Sequence, residues 1–97
     1  MENYTGWIVR AEAGRDRGGL FCVVGAEGPY VLLADGKRRR VLHPKRKKLG
    51  HVAPVDRALF DHPAIGKLKQ GQPVSDRELR LALAAFQGGN HAWRKTI

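Results

Sequence analysis

Residues 20–36 read LFCVVGAEGPYVLLADG, two short apolar runs separated by a glycine–proline turn. The first run, 20–24, is apolar at every position, as is typical of a strand that is covered on both faces. The second run, 30–34, ends at Asp35-Gly36. An Asp-Gly pair favours a two-residue type I′ turn, in which both residues need positive φ. The stretch therefore predicts two strands followed by a tight hairpin.

The segments on either side of this centre also read as short strands. Residues 7–11 are a strand candidate, and the glycine-rich residues 13–19 separate it from the centre. After the hairpin we predict a returning strand from Lys37 to Leu42, which Pro44 ends. The alternation of this strand would bury charged side chains, so we expect it at an edge of the sheet, or with Arg38, Arg40 and Leu42 sharing a partly exposed face. With a short fifth strand near Leu49–Ala53, the pattern predicts a mainly β fold, a small barrel of about five strands.

The second half of the chain changes to a helical pattern. The first helical stretch is weak, with Pro63 as its candidate first residue. Ser75 and Glu78 form a capping box, in which each side chain binds the backbone N–H of the other residue. The apolar residues that follow share one helix face: Leu79, Ala82, Leu83 and Phe86. We predict a helix from Asp76 to Gln87 that ends at Gly88-Gly89.

Size and composition indicate a single small folded domain. The chain has 97 residues, of which 42% are apolar and 28% charged. We divide it into a barrel at 1–54, a short α-helical appendage at 55–89 and a tail at 90–97. The single cysteine, Cys22, excludes an internal disulfide, and its apolar neighbours indicate a buried thiol in a reducing compartment. No apolar run approaches the ~18 residues of a membrane span and residues 1–6 do not resemble a signal peptide, so we expect a cytoplasmic protein.

Positive charge is the clearest functional signal in the chain. The formal net charge is +9, and residues 37–48 hold eight of the 18 lysines and arginines and no acid. Such a density of charge repels itself, and nucleic acid is the commonest polyanion that neutralises it. A solvated basic stretch without a partner is the alternative. Such a stretch would need neither the preceding turn nor the apolar pair Val41-Leu42.

The sequence offers no catalytic or metal-binding arrangement. Its four histidines are scattered, and none stands at zinc-ligand spacing from Cys22. A phosphate-binding GxxxxGK[ST] loop is absent from the sequence, and the acids show no paired-carboxylate pattern. We therefore predict a protein that is not an enzyme and that binds no metal or cofactor.

Residues 6–9, Gly-Trp-Ile-Val, and 13–18, Ala-Gly-Arg-Asp-Arg-Gly, together resemble the KOW motif of ribosomal and transcription-elongation proteins. Over residues 3–87 the chain is similar to a small bacterial family of KOW-domain RNA-binding proteins. That family is itself similar to KOW-containing large-subunit ribosomal proteins of archaea and eukaryotes. The further matching segments are 21–25, 30–36, 40–41, 44–48, 51–52 and 71–83. The chain departs from the family at 61–66, and the extension 89–97 has no counterpart in it.

The resemblance implies an SH3-like barrel that binds RNA without catalysis. Its target would be ribosomal RNA, or the ribosome with its proteins, so that the protein would act in translation. The family contacts phosphates through the KOW loop and the adjoining basic face. The matching positions here are Arg15, Arg17, Lys37, Arg38, Arg39, Arg40, Lys45, Arg46, Lys47 and Lys48.

The chemistry of these residues suits phosphate binding. Arg15 and Arg17 lie in the glycine-rich loop, whose backbone N–H groups are expected to form an anion-binding nest. About six phosphate contacts would make log K fall with log salt at a slope of about −4 to −5. Phosphate contacts carry little sequence information, so we expect weak base specificity and recognition of RNA shape. Trp7 and Tyr30 either stack on bases or pack at the rim of the barrel.

Two other functions stay open from the sequence. A protein-interaction module would use the barrel and the apolar face of the capped helix, with the basic run on an acidic partner. A basic DNA-binding protein satisfies the same charge argument, because both polymers present phosphates. The sequence fixes neither the RNA, nor the oligomeric state, nor the surface on which the capped helix packs.

Overall fold

The computed structural model describes residues 4–96 and the side chains of residues 4–89. One antiparallel sheet of five strands is followed by two helices, so the predicted mainly β fold with a helical appendage is confirmed. The strands are β1 Ile8–Ala11, β2 Leu20–Glu27, β3 Tyr30–Ala34, β4 Lys45–Lys48 and β5 Val52–Asp56. The helices are α1 Pro63–Lys69 and α2 Asp76–Thr96.

The sheet is barrel-like because its first strand lies beside its last. The strand order is β4-β3-β2-β1-β5, so β1 pairs with both β2 and β5. The register shifts between Ile8 and Val9 where β1 pairs with β5, and between Val23 and Gly25 where β2 pairs with β3. Shifts of this kind bend and twist strands, which curls a small sheet. The sheet stays open, with β4 and β5 at its edges.

Both faces of the sheet are buried, each by its own apolar cluster. The barrel cluster consists of Val9, Ala11, Phe21, Val23, Val31, Leu33 and Val52. The helix-side cluster consists of Ile8, Cys22, Ala34, Ala64, Ile65, Leu68, Val74, Leu79, Ala82 and Leu83. Successive β2 residues alternate between the two clusters, because neighbouring side chains of a strand point to opposite faces. The prediction that the apolar run 20–24 is a strand covered on both faces is confirmed.

Cys22 is fully buried in the helix-side cluster, as predicted. Burial disfavours the thiolate and the nearby Asp35 carboxylate adds repulsion, which together raise the pKa of the Cys22 thiol to about 12. The thiol therefore stays protonated near neutral pH and packs as a small apolar side chain.

The segment after β3 is not the predicted hairpin. Residues 35–44 form a loop and β4 begins only at Lys45, so the predicted returning strand Lys37–Leu42 is wrong. Gly36 has positive φ (77°), whereas Asp35 does not, so the type I′ turn is absent. The Asp35 carboxylate accepts hydrogen bonds from the backbone N–H groups of Lys37 and Arg39, each at 2.9 Å. These side-chain bonds compete with strand pairing for the same backbone groups.

The last two strands are displaced along the chain from their predicted positions. Pro44 directly precedes β4 instead of ending a strand, and the basic strand at the sheet edge is Lys45–Lys48. A 3₁₀ turn at Leu49–His51 occupies the start of the predicted fifth strand, and β5 begins at Val52.

The start signals of both helices are confirmed. Pro63 is the first residue of α1, where a missing N–H costs nothing, and His62 Nδ1 accepts from Ala64 N at 3.1 Å. Before α2, Ser75 N donates to Glu78 Oε1 at 2.9 Å and Glu78 N donates to Ser75 Oγ at 3.1 Å, which is the predicted capping box.

Helix α2 does not end at Gly88-Gly89, as the sequence predicted, but continues to Thr96. Two glycines lower helix propensity by about 1 kcal/mol each, but a glycine removes no backbone hydrogen bond. The side chains after Gly89, which belong to the predicted tail, lie outside the described part of the chain. Within residues 4–96, no helix is both long enough and apolar enough to cross a membrane.

Candidate nucleic-acid interface

A buried ion pair joins the two parts of the chain that were nominated as phosphate contacts. We call residues 12–19 the glycine loop and residues 37–48 the basic segment. Asp16, at the centre of the glycine loop, is only 3% exposed. Arg39 of the basic segment donates from Nη2 to Asp16 Oδ2 at 2.9 Å and from Nε to Asp16 Oδ1 at 3.3 Å. This two-pronged contact fixes the position of one loop against the other.

The positive surroundings keep the Asp16 carboxylate ionised. Burial acts to raise its pKa, but the hydrogen bond and charge of Arg39, together with the charges of Lys47 and Lys45, outweigh burial and lower the pKa of Asp16 below its usual value. A charged carboxylate at this depth needs such compensation, because an unpaired buried charge is costly.

Lys47 makes a second connection between the same two segments. It pairs with Val31 across the sheet, and cross-strand partners point to the same face, so its side chain enters the barrel side. The ammonium donates to the backbone oxygen of Ala13 at 2.7 Å, and the residue is 8% exposed. The nearby Gly14 has φ 78°, and a Cβ there would lie 3.2 Å from Lys47 Nζ. A glycine at this position leaves room for the lysine.

The start of helix α2 holds the basic segment from its other side. Asp76 Oδ1 accepts from Val41 N at 2.7 Å, and Arg80 Nη1 donates to Gly36 O at 2.7 Å. Val41 packs against the helix-side cluster, while Leu42 beside it is 85% exposed. The apolar pair in the basic run therefore has one anchored and one exposed member.

Eight of the ten nominated side chains remain accessible or half-accessible after these contacts. Two of them make weak exposed ion pairs, Arg40 with Asp76 at 4.0 Å and Arg46 with Glu27 at 3.7 Å. Pairs of this kind contribute little and leave the cation available to a ligand. The other six form no ion pair with any residue whose side chain the structure describes: Arg15, Arg17, Lys37, Arg38, Lys45 and Lys48.

The remaining two nominated residues, Arg39 and Lys47, are occupied by internal contacts. Sequence reasoning missed the role of Asp16 that explains the first of them. The available signal was an acid between two arginines in a glycine-rich loop. In a loop that binds phosphates an acid would repel the ligand, so its presence indicates a structural role.

Part of the expected anion-binding nest is also occupied. The N–H groups of Arg17, Gly18 and Gly19 donate to the carbonyls of Gly14, Ala11 and Asp16, at 3.2, 2.8 and 2.9 Å. These three amides close the glycine loop on itself, so they do not point at a ligand. The charge that the loop offers an anion is on the exposed side chains of Arg15 and Arg17.

The aromatic residues Trp7 and Tyr30 lie at the rim of the barrel, each half-buried and each beside an arginine. The guanidinium carbon of Arg46 lies 4.8 Å from the centroid of the Tyr30 ring, and that of Arg57 lies 5.2 Å from the Trp7 ring. Both distances are within the range of cation–π attraction. Rim packing is thus what the structure shows for these two rings.

No protein-family model matches this chain, and no curated protein is similar to it. The resemblance to the KOW family therefore stays a prediction. The argument for function depends on the geometry and charge of the surface described above.

Proposed function

We propose that this protein is a non-catalytic RNA-binding protein that contacts the phosphate backbone, with ribosomal RNA or the ribosome as its target. One observation carries the proposal. The Asp16–Arg39 ion pair and the Lys47–Ala13 hydrogen bond bring the glycine loop against the basic segment. We infer that the eight accessible cations of the two segments act together as one basic surface.

The acids near this surface neutralise it only in part, because Glu27 and Asp76 form ion pairs with Arg46 and Arg40 at 3.7 and 4.0 Å. Asp35 accepts from backbone N–H groups of the basic segment, Asp76 accepts from Val41 N, and Asp16 is buried against Arg39. Their charges are used to shape the loops, while the exposed lysines and arginines keep an excess of positive charge toward solvent. A surface of this kind attracts phosphates and releases counterions on binding.

The structure weakens one argument for the alternative of a protein-interaction module. That alternative needed the apolar face of helix α2 to be free for a partner. Leu79, Ala82 and Leu83 are instead buried against the chain's own sheet and α1. A basic DNA-binding protein shares the charge argument, and the resemblance to KOW proteins is what favours RNA.

The first experiment is a charge reversal in the exposed part of the basic segment, Lys37→Glu with Arg38→Glu. Both side chains are exposed and neither forms an ion pair within the described residues, so the fold should be unaffected. We expect affinity for a structured RNA to fall at least tenfold at low salt, and the salt slope to fall by about 2. The measurement is fluorescence anisotropy of labelled RNA over a salt series, with thermal melts to check the fold.

The matched control is Lys69→Glu with Arg77→Glu, which makes the same change of charge on the helices. Lys69 Nζ donates only to the backbone oxygen of Ala58, and Arg77 is exposed. This control should change RNA affinity only slightly, through the net charge. Equal losses in the two double variants would mean that no localised surface exists, and unchanged affinity in the first would reject the proposal. Arg39 is left intact in both, because a glutamate there would face the buried Asp16.

The identity of the polymer and the ribosomal target need separate measurements. Competition between duplex DNA and structured RNA at equal salt distinguishes the two polymers, and RNA should win. A complex from cells that survives RNase treatment would favour a protein partner instead. Sequencing of RNA crosslinked in cells, with sedimentation alongside ribosomal subunits, should show enrichment at one ribosomal RNA site. Crosslinks in proportion to RNA abundance would indicate a non-specific polycation.

A further inference from the structure

A cleft of about 160 Å³ opens at the barrel side of the sheet. Its floor is made by valines of four strands, which belong to the barrel cluster: Val9, Val23, Val31 and Val52. Tyr4 and Trp7 form one wall, and Leu49 and Pro54 complete the rim. Among the described residues, no side chain that lines the cleft is charged. The helices cover the opposite face of the sheet, so neither of them closes the cleft.

The two aromatic rings of the wall are held in a fixed arrangement. The centroids of Tyr4 and Trp7 lie 4.8 Å apart with an interplanar angle of 86°, an edge-to-face contact. The two rings are nearly perpendicular, so each offers its own face, and aromatic faces are what nucleobases stack on.

One cation lies beside the aromatic wall of this uncharged cleft. The Arg57 guanidinium carbon lies 5.2 Å from the Trp7 ring centroid. Leu49 of the rim directly follows the basic strand β4, so the cleft adjoins the basic segment along the chain. A ligand that places a ring in the cleft has the charge of Arg57 nearby for a phosphate.

A second, smaller depression of about 50 Å³ adjoins the first. The two share Tyr4, Val31 and Leu49, and the second extends to Tyr30, whose ring lies beside Arg46. Glu27 makes an exposed ion pair with Arg46 at 3.7 Å, and it is the acid that a phosphate would have to displace there. Two aromatic–arginine pairs, Trp7 with Arg57 and Tyr30 with Arg46, thus lie beside the two depressions, and surfaces that bind single strands combine the same residue types.

We propose that the cleft binds one unpaired pyrimidine base of an RNA strand whose adjoining phosphate contacts Arg57. The inference rests on the proposed function and deepens it, because it adds a base pocket to a phosphate-binding surface. An apolar cavity of about 150 Å³ holds benzene, so a cleft of this volume matches a single six-membered ring. An apolar side chain of a protein partner would also fit, but Arg57 beside the aromatic wall favours an anionic ligand.

The test compares a short uridine strand with an abasic strand of equal length and equal phosphate number. The full chain is used with Trp93→Phe, so that Trp7 is its one fluorescent tryptophan. We expect the uridine strand to quench Trp7 emission and to bind about tenfold more tightly than the abasic strand, as one stacked base would give.

Leu49→Phe provides a variant that fills the rim without removing a wall. Leu49 is 37% exposed, so a larger side chain has room to be accommodated without disturbing the barrel. Its matched control is Leu81→Phe on helix α2, where the leucine is 52% exposed. Leu49→Phe should make the affinities for the uridine and abasic strands nearly equal, without changing the affinity for the abasic strand. Leu81→Phe should keep the tighter binding of the uridine strand.

The outcomes separate this inference from the proposed function. Equal, salt-dependent affinity for the uridine and abasic strands would overturn the base pocket and leave RNA binding intact. Loss of all salt-dependent binding to RNA would overturn both. Quenching of Trp7 by an apolar or proline-rich peptide, lost in Leu49→Phe, with no quenching by the uridine strand, would make the cleft a protein site and overturn the base pocket alone.

Discussion

Asp16 joins the glycine loop to the basic segment, although it is itself an acid. Its carboxylate is 3% exposed and bound by Arg39 at two atoms, so neither side chain is replaceable without a cost. Arg15 and Arg17 on either side of it are exposed. Asp16 therefore fixes the middle of the loop that carries these two accessible arginines.

Asp16→Asn tests this role, since it keeps the shape of the side chain and removes its charge. We expect a loss of about 1–2 kcal/mol of unfolding free energy near neutral pH, because the half-buried guanidinium of Arg39 loses its ionic acceptor. RNA affinity should also fall although no phosphate contact has been removed. Urea denaturation and RNA anisotropy measure the two effects. Glu27→Gln, which removes an exposed pair at 3.7 Å, is the control and should leave stability nearly unchanged.

The pH dependence of stability follows from the same residue. The folded-state pKa of Asp16 is lowered, so its stabilising contribution is present above the unfolded-state value of 3.8 and is lost as pH falls through the folded-state pKa. Acid titration of the wild type should therefore show a loss of unfolding free energy below about pH 4 that is smaller in Asp16→Asn. Parallel acid titrations of the two proteins would contradict the ion pair.

Among the elements, the start of helix α2 determines the path of the basic segment. Gly36 has φ 77°, and a Cβ on it would clash with the backbone carbonyl of Asp76. Asp76 and Arg80 bind the same loop through Val41 N and Gly36 O. A loop that is pressed against a helix end in this way is held in one conformation before any ligand arrives.

Gly36→Ala should therefore be strongly destabilising, by about 3 kcal/mol or more, since it adds both a steric clash and a left-handed alanine. Gly28→Ala is the matched control. Gly28 also has positive φ (57°), but nothing lies within 4 Å of its added Cβ. The control should lose only about 1 kcal/mol, the conformational cost alone. Thermal melts of the two variants measure their stabilities. Similar losses of stability in Gly36→Ala and Gly28→Ala would contradict the close approach of loop and helix.

The continuation of helix α2 through Gly88 and Gly89 gives a prediction of opposite sign. Both glycines are exposed, neither has positive φ, and an added Cβ at either would meet no atom within 4 Å. Replacing both by alanine should raise helicity and stabilise the chain by up to about 1 kcal/mol per site. Circular dichroism and thermal melts measure this. A chain that leaves the helix at Gly88 would show no gain in helicity.

At the scale of the whole molecule, the helices complete the core of the sheet. The helix-side cluster combines Ile8, Cys22 and Ala34 from the strands with buried side chains of both helices. Without the helices this face of the sheet would expose apolar side chains to water. Burial of one such side chain contributes about 1.5–3 kcal/mol to the free energy of unfolding. The loss of this burial at several residues would exceed the whole net stability of a small domain.

A chain of residues 1–61 should therefore not fold on its own. We expect no cooperative unfolding transition in urea and a tendency to aggregate, because the apolar face of β1–β3 is uncovered. In the full chain carrying Trp93→Phe, Trp7 fluorescence reports the barrel and far-ultraviolet circular dichroism reports the helices. The two transitions should coincide. A stable barrel at 1–61, or two separate transitions, would mean that barrel and helices fold independently.

The sequence by itself determined the elements whose signals are local. The apolar run 20–24 specified a strand covered on both faces, residues 30–34 matched β3, and Ser75 with Glu78 marked the start of α2. Backbone propensity and capping act within a few residues, so such signals survive in any fold that the chain adopts.

The tertiary structure alone decided the course and the use of the basic segment. The Asp35-Gly36 pair predicted a hairpin turn, but the Asp35 carboxylate binds backbone N–H groups of the loop instead. Asp76, 35 positions from Val41, binds the backbone of the same loop from the start of helix α2. The charge of Lys47 and Arg39 predicted phosphate contacts. Their observed partners are Ala13 and Asp16 of the glycine loop, more than 20 residues earlier in the chain. Contacts between residues so distant in sequence carry no local pattern, because they exist only once the strands have paired and brought the loops together.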